Sequence, residues 1–153
     1  MLVGFLAATF AKLIELTPET FDSVVGQDKP ALVKFYAPWC GHCKAMAPDY
    51  QKLGDAYDEG VIIAKVDCDK YKELGSKFDV TGFPTLKWFK AGSLKPEEYN
   101  TGRTLDDLKR FVKEKSGIGA SIKESKSYVL DLTDDSFEKY VTGDKHVLVE
   151  FFA

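Results

Sequence analysis

Two thiols stand two residues apart in Cys40-Gly41-His42-Cys43, and a third, Cys68, stands alone. Thiols at that spacing can close a small disulfide ring across the first turn of a helix. Ala31 to Tyr36, just before them, has the apolar density of a central strand, and the stretch after them has helical spacing. Cys40 is therefore expected where unsatisfied backbone N–H groups and the positive end of a helix dipole favour a thiolate. Cys43, one turn further in, is expected to be more buried and to act second. The N-terminal thiolate attacks, a mixed disulfide forms, and the second thiol releases it. His42 lies within reach of Cys40 and, when protonated, stabilises its thiolate, which also makes the oxidised pair more reactive. Gly41 leaves the front of Cys40 open to a large substrate, and Trp39 offers an apolar platform beside it.

The competing reading is half of a zinc site. Zinc takes four ligands, and beyond the pair the inventory is Cys68, His42 and His146, with no second Cys-x-x-Cys. Redox chemistry is preferred, with no metal and no cofactor other than the cysteine pair itself. Asp67 and Asp69 flank Cys68, but two carboxylates without an oxygen-ligand loop are a weak calcium signal. Cys68 follows a core strand and reads as a small buried residue.

The elements that must position these groups alternate strand and helix. Strands are predicted at Leu13 to Leu16, Ala31 to Tyr36, Val61 to Val66 and Thr85 to Phe89, with an edge strand at Glu98-Tyr99. Thr17 can cap a helix running to Val25, with Pro18 in its first turn. Further helices are predicted from Cys43 to Tyr57, with Pro48 as a kink, from Tyr71 to Phe78 and from Leu105 to Val112. Met46, Tyr50 and Leu53 read as core positions of the second helix. The whole is an α/β fold, a mixed sheet between helices.

The 153 residues carry 21 Lys and Arg against 24 Asp and Glu, a formal net charge of −3, with 44% hydrophobic residues. That is an ordinary globular composition, and a mildly acidic chain without a basic cluster is a poor nucleic-acid binder. Met1 to Ala11 is apolar and uncharged but too short for a membrane span. It reads as the apolar region of a secretory signal peptide, complete or shortened, although the basic n-region is missing. A hydrophobic lead-in to the first strand is the other reading.

Lys115 to Ser127 is rich in Ser, Gly and Lys and reads as a linker. Beyond it, Val129 to Ala153 overlays Leu13 to Ala37 without a gap, with ten of 25 positions identical. This is an internal repeat, and it stops where the first copy reaches Pro38-Trp39-Cys40. The expected organisation is a signal peptide or remnant at 1–11, a catalytic domain at 12–115, a linker at 116–127 and an incomplete second unit at 128–153. On this reading the chain is a fragment or a truncated product.

Phe35 to Lys44 (FYAPWCGHCK), with Ala47-Pro48 and Gly82-Phe83-Pro84-Thr85, resembles a catalytic domain of the protein disulfide isomerase family, within the thioredoxin superfamily. The resemblance runs from Leu13 to Lys115, and the repeat resembles the start of a second such domain. It implies a thioredoxin fold and an enzyme of the endoplasmic reticulum lumen that forms and rearranges disulfides in unfolded or partly folded client proteins. Glutathione or an upstream thiol oxidase would reoxidise it. The chain ends at Glu150-Phe151-Phe152-Ala153 without a retention signal.

The resemblance also assigns residues. Cys40 matches the nucleophile and Cys43 the resolving thiol. Pro84 matches a cis-proline facing the disulfide, which would leave the backbone of Phe83 free to pair with an extended client. Trp39 and Phe83 flank the site. Arg103 matches an arginine that swings toward the resolving cysteine and lowers its pKa. One position departs from the family: six residues before the nucleophile, where a buried acid shuttles a proton to the resolving cysteine, stands Lys34. It is a possible proton-transfer position if burial lowers its pKa, or a lysine that snorkels to the surface. The second copy keeps the acid as Glu150. Two alternatives stand beside the isomerase reading. One is a general reducing thioredoxin, disfavoured by the His between the cysteines. The other is a non-catalytic client-binding folding module.

Overall fold

A computed structural model of the protein describes residues 13–57, 60–121 and 137–138. The chain divides into two compact units, Met1–Ile122 and Lys123–Ala153. Described residues of the second unit are Phe137 and Glu138, which are helical. The signal-like stretch at 1–11 and the incomplete repeat at 128–153, apart from those two residues, lie outside the described residues.

The first unit runs β1 (Leu13–Glu15), α1 (Pro18–Val24), β2 (Ala31–Tyr36), α2 (Gly41–Ala56), β3 (Ile62–Asp67), α3 (Lys72–Lys77), β4 (Thr85–Phe89), β5 (Pro96–Glu98) and α4 (Leu105–Ser116). The five strands form one sheet in the order β1-β3-β2-β4-β5. β2 lies at its centre, parallel to β3 and antiparallel to β4.

Alternation along β2 divides the core between the two faces of the sheet. Leu32 joins Ile63, Leu86 and Trp88 beneath Met46, Tyr50 and Leu53 of α2 and Leu108, Phe111 and Val112 of α4. Ala31, Val33 and Phe35 face the other way, onto Phe21 of α1, Leu74 of α3 and Phe78 just past its end. Both faces of the central strand are covered, so it reads as a nearly continuous apolar run. Gly54 lets α2 sit close over β1: a Cβ there would stand 3.0 Å from that of Leu13. The Tyr50 hydroxyl anchors the same helix from below, within donating distance of the carbonyls of Leu32 and Ala64 at 3.0 and 2.9 Å.

Three details differ from the sequence expectation. Helix α2 starts at Gly41, two residues early, because Cys40 itself is the N-cap. The edge strand is drawn to Pro96–Glu98, where it pairs with β4, and Tyr99 turns into the core instead. Packing also continues past Lys115, into the stretch read as a linker. α4 ends at Ser116 with Gly117 in the left-handed conformation (φ 74°), Ile118 and Ala120 pack on the α2–α4 core, and the Ser121 N–H donates to the Ala56 carbonyl at 2.8 Å.

Candidate functional site

The buried strand β2 ends at Tyr36, and four residues later the chain enters α2 with a thiol as its cap. The Cys43 backbone N–H donates to the Cys40 sulfur at 3.4 Å, so sulfur takes the place usually held by a Ser or Asp oxygen. This places the sulfur at the positive end of a 16-residue helix. Its thiol pKa is held below the ordinary value, first by a hydrogen bond from the Cys43 thiol. The backbone N–H groups of Cys43 and His42 and the charge of Arg103 act the same way, against an opposing effect of burial. Burial does the reverse to Cys43, pushing its thiol up to about 11, helped by its hydrogen bond to Cys40. Both cysteines are buried, with 8% of Cys40 and 3% of Cys43 exposed. The two pKa values diverge, so the cap thiol at Cys40 ionises more readily than Cys43.

Around the pair, Ala37, Tyr36 and Phe83 form an apolar rim. The Phe83–Pro84 peptide bond is cis, and the Cys40 thiol lies 3.6 Å from the Phe83 carbonyl oxygen. Pro84 is itself buried. Trp39 is 67% exposed, meets the Phe83 ring edge-to-face at 6.0 Å, and donates its indole N–H to Asp69 at 3.3 Å. Gly41 faces open space, with nothing near the position of a Cβ. His42 is exposed, and the part of it that acts on Cys40 is its backbone N–H. Arg103, also exposed, acts on Cys40 rather than on Cys43. Lys34 does not snorkel: it is 3% exposed and lies under α2, with its Nζ 4.5 Å from the Tyr50 ring centre.

One model of the thioredoxin family matches residues 12–114, two thirds of the chain and the whole of this site. The chain belongs to the thioredoxin family. Its thioredoxin domain is homologous to those of protein disulfide isomerases. Protein disulfide-isomerase tigA of Aspergillus niger is 47% identical over 156 residues, covering 99% of this chain and 44% of that protein. Probable protein disulfide-isomerase A6 of Medicago sativa is 45% identical over 152 residues, covering 97% and 42% respectively. The chain thus spans less than half the length of these relatives. Among solved structures, the first thioredoxin domain of mouse protein disulfide-isomerase A4 aligns with a TM-score of 0.59 and 34% identity, over 80% of this chain and 85% of that one.

The thioredoxin domain holds no other candidate centre of comparable strength. Among the described residues, no group of three or more His, Cys, Asp and Glu is placed to hold a metal. Cys68 is buried against Gly75, and its thiol is pushed up to about 11, chiefly by burial. Asp67 caps the following turn through the N–H groups of Asp69 and Lys70. Two contributors were not singled out in the sequence for what they do here. Asp69 carries the hydrogen bond to Trp39, and Tyr36 packs on the cysteine pair. Asp69 had a signal, an acid just beyond a core strand, but nothing local names its indole partner.

Proposed function

We propose that this domain is a thiol–disulfide oxidoreductase and isomerase acting on protein clients. The observation that carries the reading is the pairing of an N-cap thiol of lowered pKa at Cys40 with a buried, high-pKa thiol at Cys43. Cys40 thiolate attacks a client disulfide, forming a Cys40–client bond and releasing one client thiolate. The client then has two exits. Its freed thiols can exchange within the client until one of them attacks the Cys40–client bond, closing a client disulfide in a new pairing and releasing the Cys40 thiolate, or Cys43 can attack Cys40, closing the Cys40–Cys43 disulfide and releasing the client reduced. Run in reverse, the second exit oxidises a dithiol client. Trp39 and Phe83 supply apolar surface, and the Phe83 carbonyl beside the Cys40 thiol a backbone acceptor, against which an extended client segment can lie.

The remaining proposals follow from the same reading. Clients are unfolded or partly folded proteins, and glutathione or a thiol oxidase restores the disulfide. The setting is the endoplasmic reticulum lumen. Among the described residues no helix is long and apolar enough to cross a membrane. The internal repeat supports a second thioredoxin-like unit that begins beyond the first one.

Refolding of a scrambled, fully disulfide-bonded client tests the reading. Recovery of native activity with catalytic amounts of the chain is the expected result, together with a redox potential near about −180 mV. A potential near about −270 mV with no isomerisation would mark a reducing thioredoxin instead. Undiminished activity after loss of both thiols would mark a non-catalytic folding module.

A further inference from the structure

Lys34 is a buried cation that the exchange steps above do not use. Alternation along β2 sends Leu32, Lys34 and Tyr36 to the side of the sheet that α2 covers. On α2, Cys43, Met46 and Tyr50 follow one another at helical spacing and are all buried, so the resolving thiol and Tyr50 share the face that looks down on Lys34. The Lys34 Nζ stands 4.5 Å from the Tyr50 ring centre and 5.6 Å from that of Tyr36, and Tyr36 packs directly on the cysteine pair. Ring faces attract an ammonium, more strongly out of water.

The neighbouring charges are accounted for. Lys65 of β3 pairs with Lys34 in register and also stands 5.6 Å from the Tyr36 ring. It is paired with Glu15 of β1 at 3.3 Å. β4 contributes neutral Leu86 opposite Lys34. Tyr99 lies beyond Tyr50 and acts electrostatically on it. Among the described residues no carboxylate makes an ion pair with Lys34. The group whose negative charge favours the Lys34 ammonium is Cys43.

We propose that Lys34 is a positioning residue for disulfide exchange, a buried positive charge held between β2 and α2 that favours the thiolate of Cys43. The proposal rests on the exchange reading of the pair. Burial and Lys65 lower the Lys34 ammonium, while Cys43 raises it; reciprocally, Lys34 draws the Cys43 thiol down against its burial. In the resolving step Cys43 gives its proton to solvent. Its thiolate attacks the Cys40 sulfur of the mixed disulfide, the Cys40–client bond breaks, and the client sulfur leaves with the electron pair and is protonated from solvent. Lys34 keeps its proton throughout.

The test follows alkylation of Cys43 against pH in a Cys40→Ala background, with the modified site identified by peptide mass spectrometry. Lys34→Met keeps the length and suits the buried site; Lys34→Gln is a second neutral variant, and Lys34→Arg keeps the charge. Both neutral variants are expected to slow Cys43 alkylation at neutral pH about threefold, the net of an upward shift of about one pKa unit and the greater nucleophilicity of the more basic thiolate, and Lys34→Arg is expected to restore the parent rate. Unchanged or faster alkylation in either neutral variant overturns the proposal. So does a folded Lys34→Arg as slow as Lys34→Met, since the effect would then be packing and not charge. These readings need no client. Failure of the parent chain to refold a client would sink the isomerase reading while leaving them intact.

Discussion

The indole N–H of Trp39 donates to the Asp69 carboxylate at 3.3 Å, so a residue just beyond β3 orients the ring of the residue that precedes Cys40. The same ring meets Phe83 edge-to-face. An exposed tryptophan without that tie would sample several rotamers and would have to be ordered again by each client.

Asp69→Ala is therefore expected to act on client binding and not on the thiols. A hydrogen bond to a charged group at an exposed site contributes about 1 kcal/mol, or a rise of about fivefold in KM for a peptide disulfide. kcat, and exchange with a small disulfide too short to touch Trp39, should stay as they were. Steady-state kinetics with both substrates check this; an equal loss with the small disulfide would mean that Asp69 acts on the cysteines.

The two thiols should separate cleanly in their reactivity. Cys43 is pushed up to about 11, while Cys40 lies below its ordinary value of 9.0. At neutral pH that gap gives Cys40 at least about 100 times the thiolate fraction. The lower intrinsic nucleophilicity of a low-pKa thiolate takes back about a factor of eight. Alkylation of the reduced chain at neutral pH should thus modify Cys40 at least about ten times faster than Cys43, with the preference narrowing as pH rises toward 11. Cys43→Ser should accumulate mixed disulfides with clients, and Cys40→Ser should form none. Adducts in Cys40→Ser would place the nucleophile elsewhere.

The cysteine pair, the strand before it and the helix after it were legible because each has a strong local signal. Where the reading slipped, the cause was a contact that no local pattern announces. Thiols are not among the usual cap residues, so the start of α2 was placed after Cys40 and Gly41 instead of between them. The Ser-, Gly- and Lys-rich composition after Lys115 hid Ile118 and Ala120, single apolar residues that matter only because the α2–α4 core lies under them. Lys34 could be placed on a central strand by sequence, but its burial under the Tyr50 ring depends on how α2 crosses the sheet.

Those contacts set the limit for trimming the first unit. A chain ending at Ser121 keeps the Ser116 hydroxyl bond to the Val112 carbonyl, the Ile118 contact and the Ser121 bond to Ala56. Its urea midpoint should match the parent first unit. A chain ending at Lys115 loses all three and should be less stable by about 1–2 kcal/mol, a share of the value of a fully buried Ile plus one hydrogen bond. Exchange activity should survive in both, because the site is built from residues between Lys34 and Arg103. Equal stability of the two would show that packing beyond Lys115 contributes nothing.

Lys34 should carry a stability cost that depends on pH. Burial lowers its folded-state pKa below the ordinary 10.5. Between the folded and unfolded values the unfolded chain binds more protons, so stability rises with pH there. Below the folded value the cost of burying the charge is present in full, and it fades as pH climbs toward 10.5. Replacing a buried cation with an apolar side chain of similar length often stabilises. Lys34→Met should therefore unfold at higher urea than the parent at neutral pH, and the advantage should shrink steadily on the alkaline side. Tyr36 and Tyr50, whose hydroxyls burial also raises, titrate in both chains and largely cancel in the difference. The same variant that is expected to slow Cys43 is thus expected to strengthen the fold, the pattern of a residue retained for reactivity at the expense of stability. Urea titrations of the two chains at neutral pH and near pH 10.5 check this, and a Lys34→Met chain that is no more stable at neutral pH would show that the two tyrosine rings offset the burial of the charge.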